Sequence, residues 1–196
     1  MPFSVASSYG ALLSLRALLG QVPQLSEADI EEFVAYWQKV IGLRRGEFLI
    51  RPGQTEHHLY FVHTGLLRIY LPVGPEEICV GFGYENSLIC SFPSFVTGQA
   101  SEYSIQALRG SQLLGISRPD FLAFVEQNAN FGRFWRAELE RNLVGRIERE
   151  IDLLLPDPAQ RYERLLTRSP QLFQRVPKKY IASYLRMTPE TLSRLR

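Results

Sequence analysis

Between Leu43 and Ser117 the apolar residues recur with a period of two, and glycines and prolines interrupt them at short intervals. The stretch FLIRPGQTEHHLYFVHTGLLRIYLPVGPEEICVGFGYENSLICSF breaks at Pro52-Gly53, Thr64-Gly65 and Val73-Gly74-Pro75. YSIQALRGSQLLGIS then folds back around Arg109-Gly110-Ser111. Side chains on a strand alternate between its faces, so each segment has one face to bury. Short strands with turns every 8–12 residues or so bury such faces by closing into a barrel or sandwich.

The period changes on either side of this run. Residues 12–41 read as helical: Ser26 and Asp29 have the spacing of a capping box, and Ile30, Phe33, Val34 and Trp37 form one stripe. Asp120 to Val125 predicts a short helix, and Phe131, Trp135, Leu139, Leu143, Ile147 and Ile151 then recur four apart. The opposite face of that second helix is charged (Arg136, Glu140, Arg141, Glu148, Arg149, Glu150), the pattern of a helix that either packs on its own barrel or pairs with a second copy. Pro156 and Pro158 end it and suggest a hinge, and a further helix carries Tyr162, Leu165 and Leu166. The fold class expected is α+β.

Charge is divided along the chain. From Asp157 onward there are nine basic and three acidic residues, +6, so the first 156 residues carry −4 of the total of +2. A small basic module on an acidic body suits contact with a phosphate backbone, where Lys and Arg displace condensed counterions. The longest apolar runs are too short to span a bilayer, and the N-terminus lacks the basic segment of a secretion signal, so a cytoplasmic protein without membrane contact is expected. Cys79 and Cys90 have no third ligand nearby and read as packed thiols.

The basic module ends in RVPKKYIASYLRMTPETLSRLR. Tyr180, Ile181, Tyr184 and Leu185 give one apolar helical face, and Leu192 with Leu195 gives a shorter one. Between them Thr188 is a good N-cap, Pro189 suits the first helical position, Glu190 follows in the first turn, and Ala182 permits close approach. Two short helices joined by a tight turn have the grammar of a helix-turn-helix, whose second helix enters the DNA major groove. Such turns often carry Gly at a left-handed position, where this chain has Arg186.

This order of parts resembles the CRP/FNR family of bacterial transcription regulators over nearly the whole chain. Arg51-Pro52-Gly53, Leu59 to Val62, Gly65 to Arg68 and Ile181 to Arg194 carry the likeness. The resemblance implies a double-stranded β-helix (jelly-roll, cyclic nucleotide-binding-like) sensor domain with N-terminal helices over 1–129. It also implies a long dimerisation helix and hinge over 130–156, and a helix-turn-helix DNA-binding domain without a complete wing over 157–196. Glu190 and Arg194 match the family's base-reading pair, and their chemistry agrees: Arg can bond guanine, and Glu can accept from cytosine. Pro189 stands where the family has a further basic residue. Lys178, Lys179, Thr188 and Ser193 are candidates for phosphate contacts. The partners implied are double-stranded DNA, a second copy through helix 130–155, and RNA polymerase as a further partner the resemblance allows.

The effector cassette departs from the family. Threading places Ile89-Cys90 where nucleotide-binding members have the Gly-Glu that holds the ribose, and Ser101-Glu102 where they have the Arg-Ser that holds the phosphate. A phosphate facing a carboxylate without Arg loses charge-assisted bonds worth roughly 1.5–3 kcal/mol each. Tight binding of cyclic AMP or cyclic GMP is therefore not expected. The remaining pocket residues Phe82, Tyr84, Phe92, Phe95 and Tyr103 would either hold another small effector or fill as core, and packing is the better reading.

A rival reading takes the β-roll as a cupin-like small-molecule binder or metalloenzyme whose C-terminal helices only dimerise. His57-His58 beside Glu56 is its basis, but adjacent residues on a strand face opposite ways, so no metal site is expected. No Ser-His-Asp arrangement, phosphate loop or nucleotide fingerprint appears, and neither an enzyme nor a cofactor is expected.

Overall fold

The computed structural model describes residues 5–195. Within it, α1 (Val5–Leu19) and α2 (Glu27–Ala35) precede the strands β1 (Lys39–Leu43), β2 (Phe48–Ile50), β3 (His58–Thr64), β4 (Leu66–Val73), β5 (Glu76–Tyr84) and β6 (Leu88–Ile89). A short helix α3 (Phe92–Thr97) interrupts them before β7 (Ser104–Ala107) and β8 (Ser111–Ser117). Then come α4 (Arg118–Gln127), the long α5 (Ala129–Leu154), α6 (Pro158–Arg168), α7 (Pro170–Arg175), α8 (Lys178–Tyr184) and α9 (Pro189–Arg194).

The alternation read in the sequence resolves into two four-stranded sheets, ordered β1-β8-β3-β6 and β2-β7-β4-β5. β8 lies antiparallel between β1 and β3, with Ile41 opposite Leu113 and Leu59 opposite Ile116. The turn at Gly65 depends on its lacking a side chain: φ is +111°, and a Cβ there would fall 2.6 Å from Ser111 Cα. The region expected to be helical over 12–41 is two helices and a strand, because the Ser26–Asp29 capping box starts α2 and the chain is already extended at Lys39.

Two compact units result: Met1–Ile69 with Phe82–Ala137, and Tyr70–Gly81 with Glu138–Arg196. In the first, the helices pack on the roll through an aromatic cluster in which Phe33, Phe121, Phe124 and Phe131 meet one another. Trp37 and Trp135 join it edge-on, against Phe33 and Phe121 respectively. The first turns of α5 are thus core: Phe131 is fully buried. Asp29 accepts hydrogen bonds from Asn128 and Asn130, tying the start of α2 to that of α5.

In the second unit the remainder of α5 packs with α6–α9 and the tip of the β4–β5 hairpin. Asp152, fully buried, receives Arg164 Nε and Arg168 Nη2, each at 2.6 Å, and Arg164 also bridges to Glu148. Around Pro156, Arg161 donates to four carbonyls: Leu155 at 2.8 Å, Pro156 at 3.3 Å, Leu185 at 3.1 Å and Arg186 at 3.2 Å. Asp157 caps α6 through Ala159 N. α7 was not foreseen: its start at Pro170 is where the preceding helix was expected to end.

Candidate functional site

The two terminal helices are built as their sequence requires. Ile181, Ala182 and Leu185 of α8 and Leu192 of α9 are buried, which fixes the helices against α6 and α7. α8 ends in a Schellman arrangement: Met187 N donates to Ala182 O at 3.0 Å, and Arg186 N donates to Ser183 O at 3.1 Å. That closure needs a left-handed residue after the cap, and Arg186 supplies it at φ +54°. A side chain in this conformation costs roughly 1–2 kcal/mol, which Gly would not incur. Thr188 then caps α9, accepting from Thr191 N at 3.2 Å, with Pro189 opening the helix.

Packing one face of α9 leaves the other free. Lys178, Lys179, Thr188, Pro189, Glu190, Ser193 and Arg194 are all exposed. The Glu190 carboxyl is held below its ordinary value by a hydrogen bond to its own backbone N–H, then by the Thr188 hydroxyl and the Arg194 charge. It is therefore an anion, an acceptor four residues from the Arg194 donor on the same face.

The hairpin tip meets α8 within the same unit. Ser183 Oγ accepts from Cys79 N and donates to Glu77 O, both at 3.0 Å, so one hydroxyl satisfies two groups of β5. Arg149 of α5 donates to Cys79 O at 3.1 Å and Tyr184 O at 3.2 Å, and lies over the Tyr184 ring at 4.6 Å. None of these pairings was foreseen from the sequence, because the partners lie more than thirty residues apart in the chain.

On α5 the stripe read as four-residue steps changes role along its length. Beyond its buried start, Leu143, Val144, Ile147, Ile151 and Leu154 are exposed by 60%, 59%, 48%, 41% and 78%. So much apolar surface on one helix calls for a covering partner.

In the roll, the cassette is closed by its own hydrogen bonds. Ser91 Oγ lies 2.7 Å from Ser101 Oγ, which also donates to Tyr103 O and accepts from Tyr103 N. Ser91, next to the threaded Cys90, is thus the side chain that Ser101 meets. Ile89, Cys90 and Ser101 are buried, Phe82, Tyr84 and Tyr103 half-buried, and Glu102 exposed. Of the other aromatics, Phe95 is core at 2% exposure, whereas Phe92 faces outward at 39%.

The residue that sequence reasoning placed only beside two histidines, and not in the interior of the roll, is Glu56. Only 4% exposed, it accepts from His58 N at 3.2 Å and Ser91 N at 3.3 Å, and its own N–H donates to Ser94 Oγ at 2.9 Å. Burial pushes its carboxyl up to about 7, against the pull of the backbone donors. Burial, with the Glu56 charge adding to it, also drives the Tyr60 hydroxyl and the Cys90 thiol well above their ordinary values, so that thiol is unreactive. Cys79 and Cys90 are free and buried. Among the described residues no group of three or more His, Cys, Asp and Glu is placed to hold a metal ion. Nor is any helix among them long and apolar enough to cross a membrane.

Residues 40–128 match the cyclic nucleotide-binding domain family. No curated protein matches the chain in sequence. In fold it is similar to FixK2 from Bradyrhizobium japonicum, with a TM-score of 0.67 at 17% identity over 80% of this chain and 81% of that one. It is similar too to CLP from Xanthomonas campestris, described as a c-di-GMP responsive global regulator: 0.65 at 19% identity, over 87% and 89%. The sensor domain of the transcriptional regulator DNR from Pseudomonas aeruginosa gives 0.56 at 23% identity over 71% and 91%.

Proposed function

From a chain that carries a cyclic nucleotide-binding domain and has the fold of the CRP/FNR transcription regulators, we propose a DNA-binding transcription regulator of that type, a homodimer that reads a palindromic promoter site. One observation carries the reading: α9 buries Leu192 and leaves Glu190, Ser193 and Arg194 exposed together, beside the exposed Lys178 and Lys179 of a module with net charge +6. α8 and α9 act as the helix-turn-helix. Arg194 and Glu190 read base edges, while Lys178, Lys179, Thr188 and Ser193 set the register on phosphates.

The functional segments remain 1–129 for sensing, 130–156 for dimerisation and 157–196 for DNA. The apolar stripe from Leu143 to Leu154 supports pairing of α5 with a second α5, because two-fold dimers match two half-sites. The cassette supports a roll that holds a different effector or none: Ser91 and Ser101 satisfy each other, and no cation is offered to a cyclic phosphate by Ser101 or Glu102.

Selection of duplexes from a random pool by the purified protein tests this directly. A palindromic consensus is expected, and Arg194→Ala should weaken binding to it by about 1–3 kcal/mol while relaxing one base position in each half-site. Enrichment of no sequence, or an unaltered affinity in the variant, would overturn the assignment.

A further inference from the structure

We propose that Arg186, in the turn between α8 and α9, is a phosphate-contacting residue that Glu76 holds in reserve until a duplex takes its place; this rests on the DNA-binding reading. The turn needs a left-handed residue at this position, and Gly would fill it without strain. The chain instead has a side chain there that gains nothing conformationally and costs roughly 1–2 kcal/mol. Nothing in the packing accounts for it, because 47% of that side chain is exposed. What the guanidinium touches is Glu76 Oε2 at 3.4 Å, on a carboxylate that is itself 66% exposed. A pair so long and so wet is weak and easily exchanged.

The surroundings favour an anion. Arg149 bonds Tyr184 O, and Arg161 bonds Leu185 O and Arg186 O, so three guanidiniums converge on the turn that leads into α9. Two of them are committed to backbone carbonyls. Burial lowers the proton affinity of Arg149, and like-charge repulsion from Arg146 and, least, from Arg186 adds to it. Of the three, Arg186 alone bonds an exposed carboxylate rather than the chain's own backbone, and it stands two residues before the α9 cap. A duplex presents a row of phosphates where Glu76 presents one carboxylate, so Arg186 exchanges partners on binding and the counterion of one phosphate is released.

The test uses full-length protein and the duplex that the wild type enriches, with a scrambled duplex beside it. Affinity is measured between 50 mM and 300 mM salt for wild type, Arg186→Gly, Arg186→Gln, Glu76→Gln and the double variant Glu76→Gln with Arg186→Gly. Loss of one phosphate contact per protomer should make the salt slope shallower by about 0.9 and weaken binding roughly eightfold at 0.1 M salt for each protomer, roughly sixtyfold for the dimer. The loss should be equal on both duplexes, because phosphate contacts do not read sequence. Thermal midpoints should stay within about 4 °C of wild type, since Gly fits the turn. Glu76→Gln should tighten binding several-fold in the wild-type background and change nothing once Arg186 is Gly. Salt slopes unchanged in both Arg186 variants, or a Glu76→Gln gain of equal size in both backgrounds, would overturn the proposal while leaving DNA binding intact. A wild type that enriches no duplex removes both readings together.

Discussion

Glu56 should make the first unit less stable as pH rises through neutrality, against the usual behaviour of a carboxylate. Its carboxyl sits at about 7 in the fold against an ordinary 4.5, so the folded chain binds the proton more tightly than the unfolded chain does. Stabilisation by the protonated group is complete below about pH 4.5 and is lost as pH climbs through 7. At about 1.36 kcal/mol per pH unit, the difference amounts to roughly 3 kcal/mol. Tryptophan emission is the appropriate signal, because Trp37 and Trp135, the chain's two tryptophans, both lie in the first unit. Urea unfolding of wild type and Glu56→Gln should be followed from pH 4.5 to 8.5. Gln cannot ionise, and histidine titration is common to both proteins, so the wild-type-minus-variant difference isolates this one group. Gln also points an amide donor at a site built to accept from His58 N and Ser91 N, so the variant starts about 1–2 kcal/mol weaker at low pH and should overtake the wild type as pH rises. A difference that stays flat across the range would refute the reasoning.

Other outcomes follow from the second unit and the cassette. Asp152→Ala should cost about 3 kcal/mol in chemical unfolding followed by circular dichroism, the low end for breaking a buried pair, because Arg164 and Arg168 keep 39% and 25% of their side chains exposed. Ile147→Glu, at the centre of the exposed stripe, should give monomer in sedimentation velocity where wild type gives dimer, without loss of helix content. Isothermal titration with cyclic AMP should show no binding at micromolar ligand, since Ser101 and Glu102 offer no guanidinium to the phosphate.

Local chemistry was legible in the sequence wherever it acts over a few residues. The Ser26–Asp29 box, the cap at Thr188 and the glycine turns of the roll each join near neighbours, and each forms as its residues dictate. The left-handed requirement at Arg186 was visible too, because a helix pair closed by so short a turn leaves little choice. Position along α5 was harder. An unbroken four-residue repeat does not say where a helix leaves its own core, and the change from Phe131 to Leu143 depends on which rings surround it. The pairing of Ser91 with Ser101 was not legible, since nothing in the local pattern joins two serines ten residues apart. Glu56 looked like one member of a polar trio with His57 and His58. Only the fold brings it to Ser91 and Ser94, thirty-five and more residues later. The hairpin tip and Ser183 are separated by more than a hundred residues, a distance at which no periodicity carries information.

A proline between two helices invites the image of a swivel, and Pro156 stands where the long helix stops. Arg161 adds a restraint at this joint. Its single planar head collects oxygens from the end of α5 and from the loop that feeds α9, so turning the chain at Pro156 would strip several carbonyls of one shared donor at once. The back half of the long helix and the terminal pair thus share one donor, and a turn at Pro156 would have to exchange its hydrogen bonds with both.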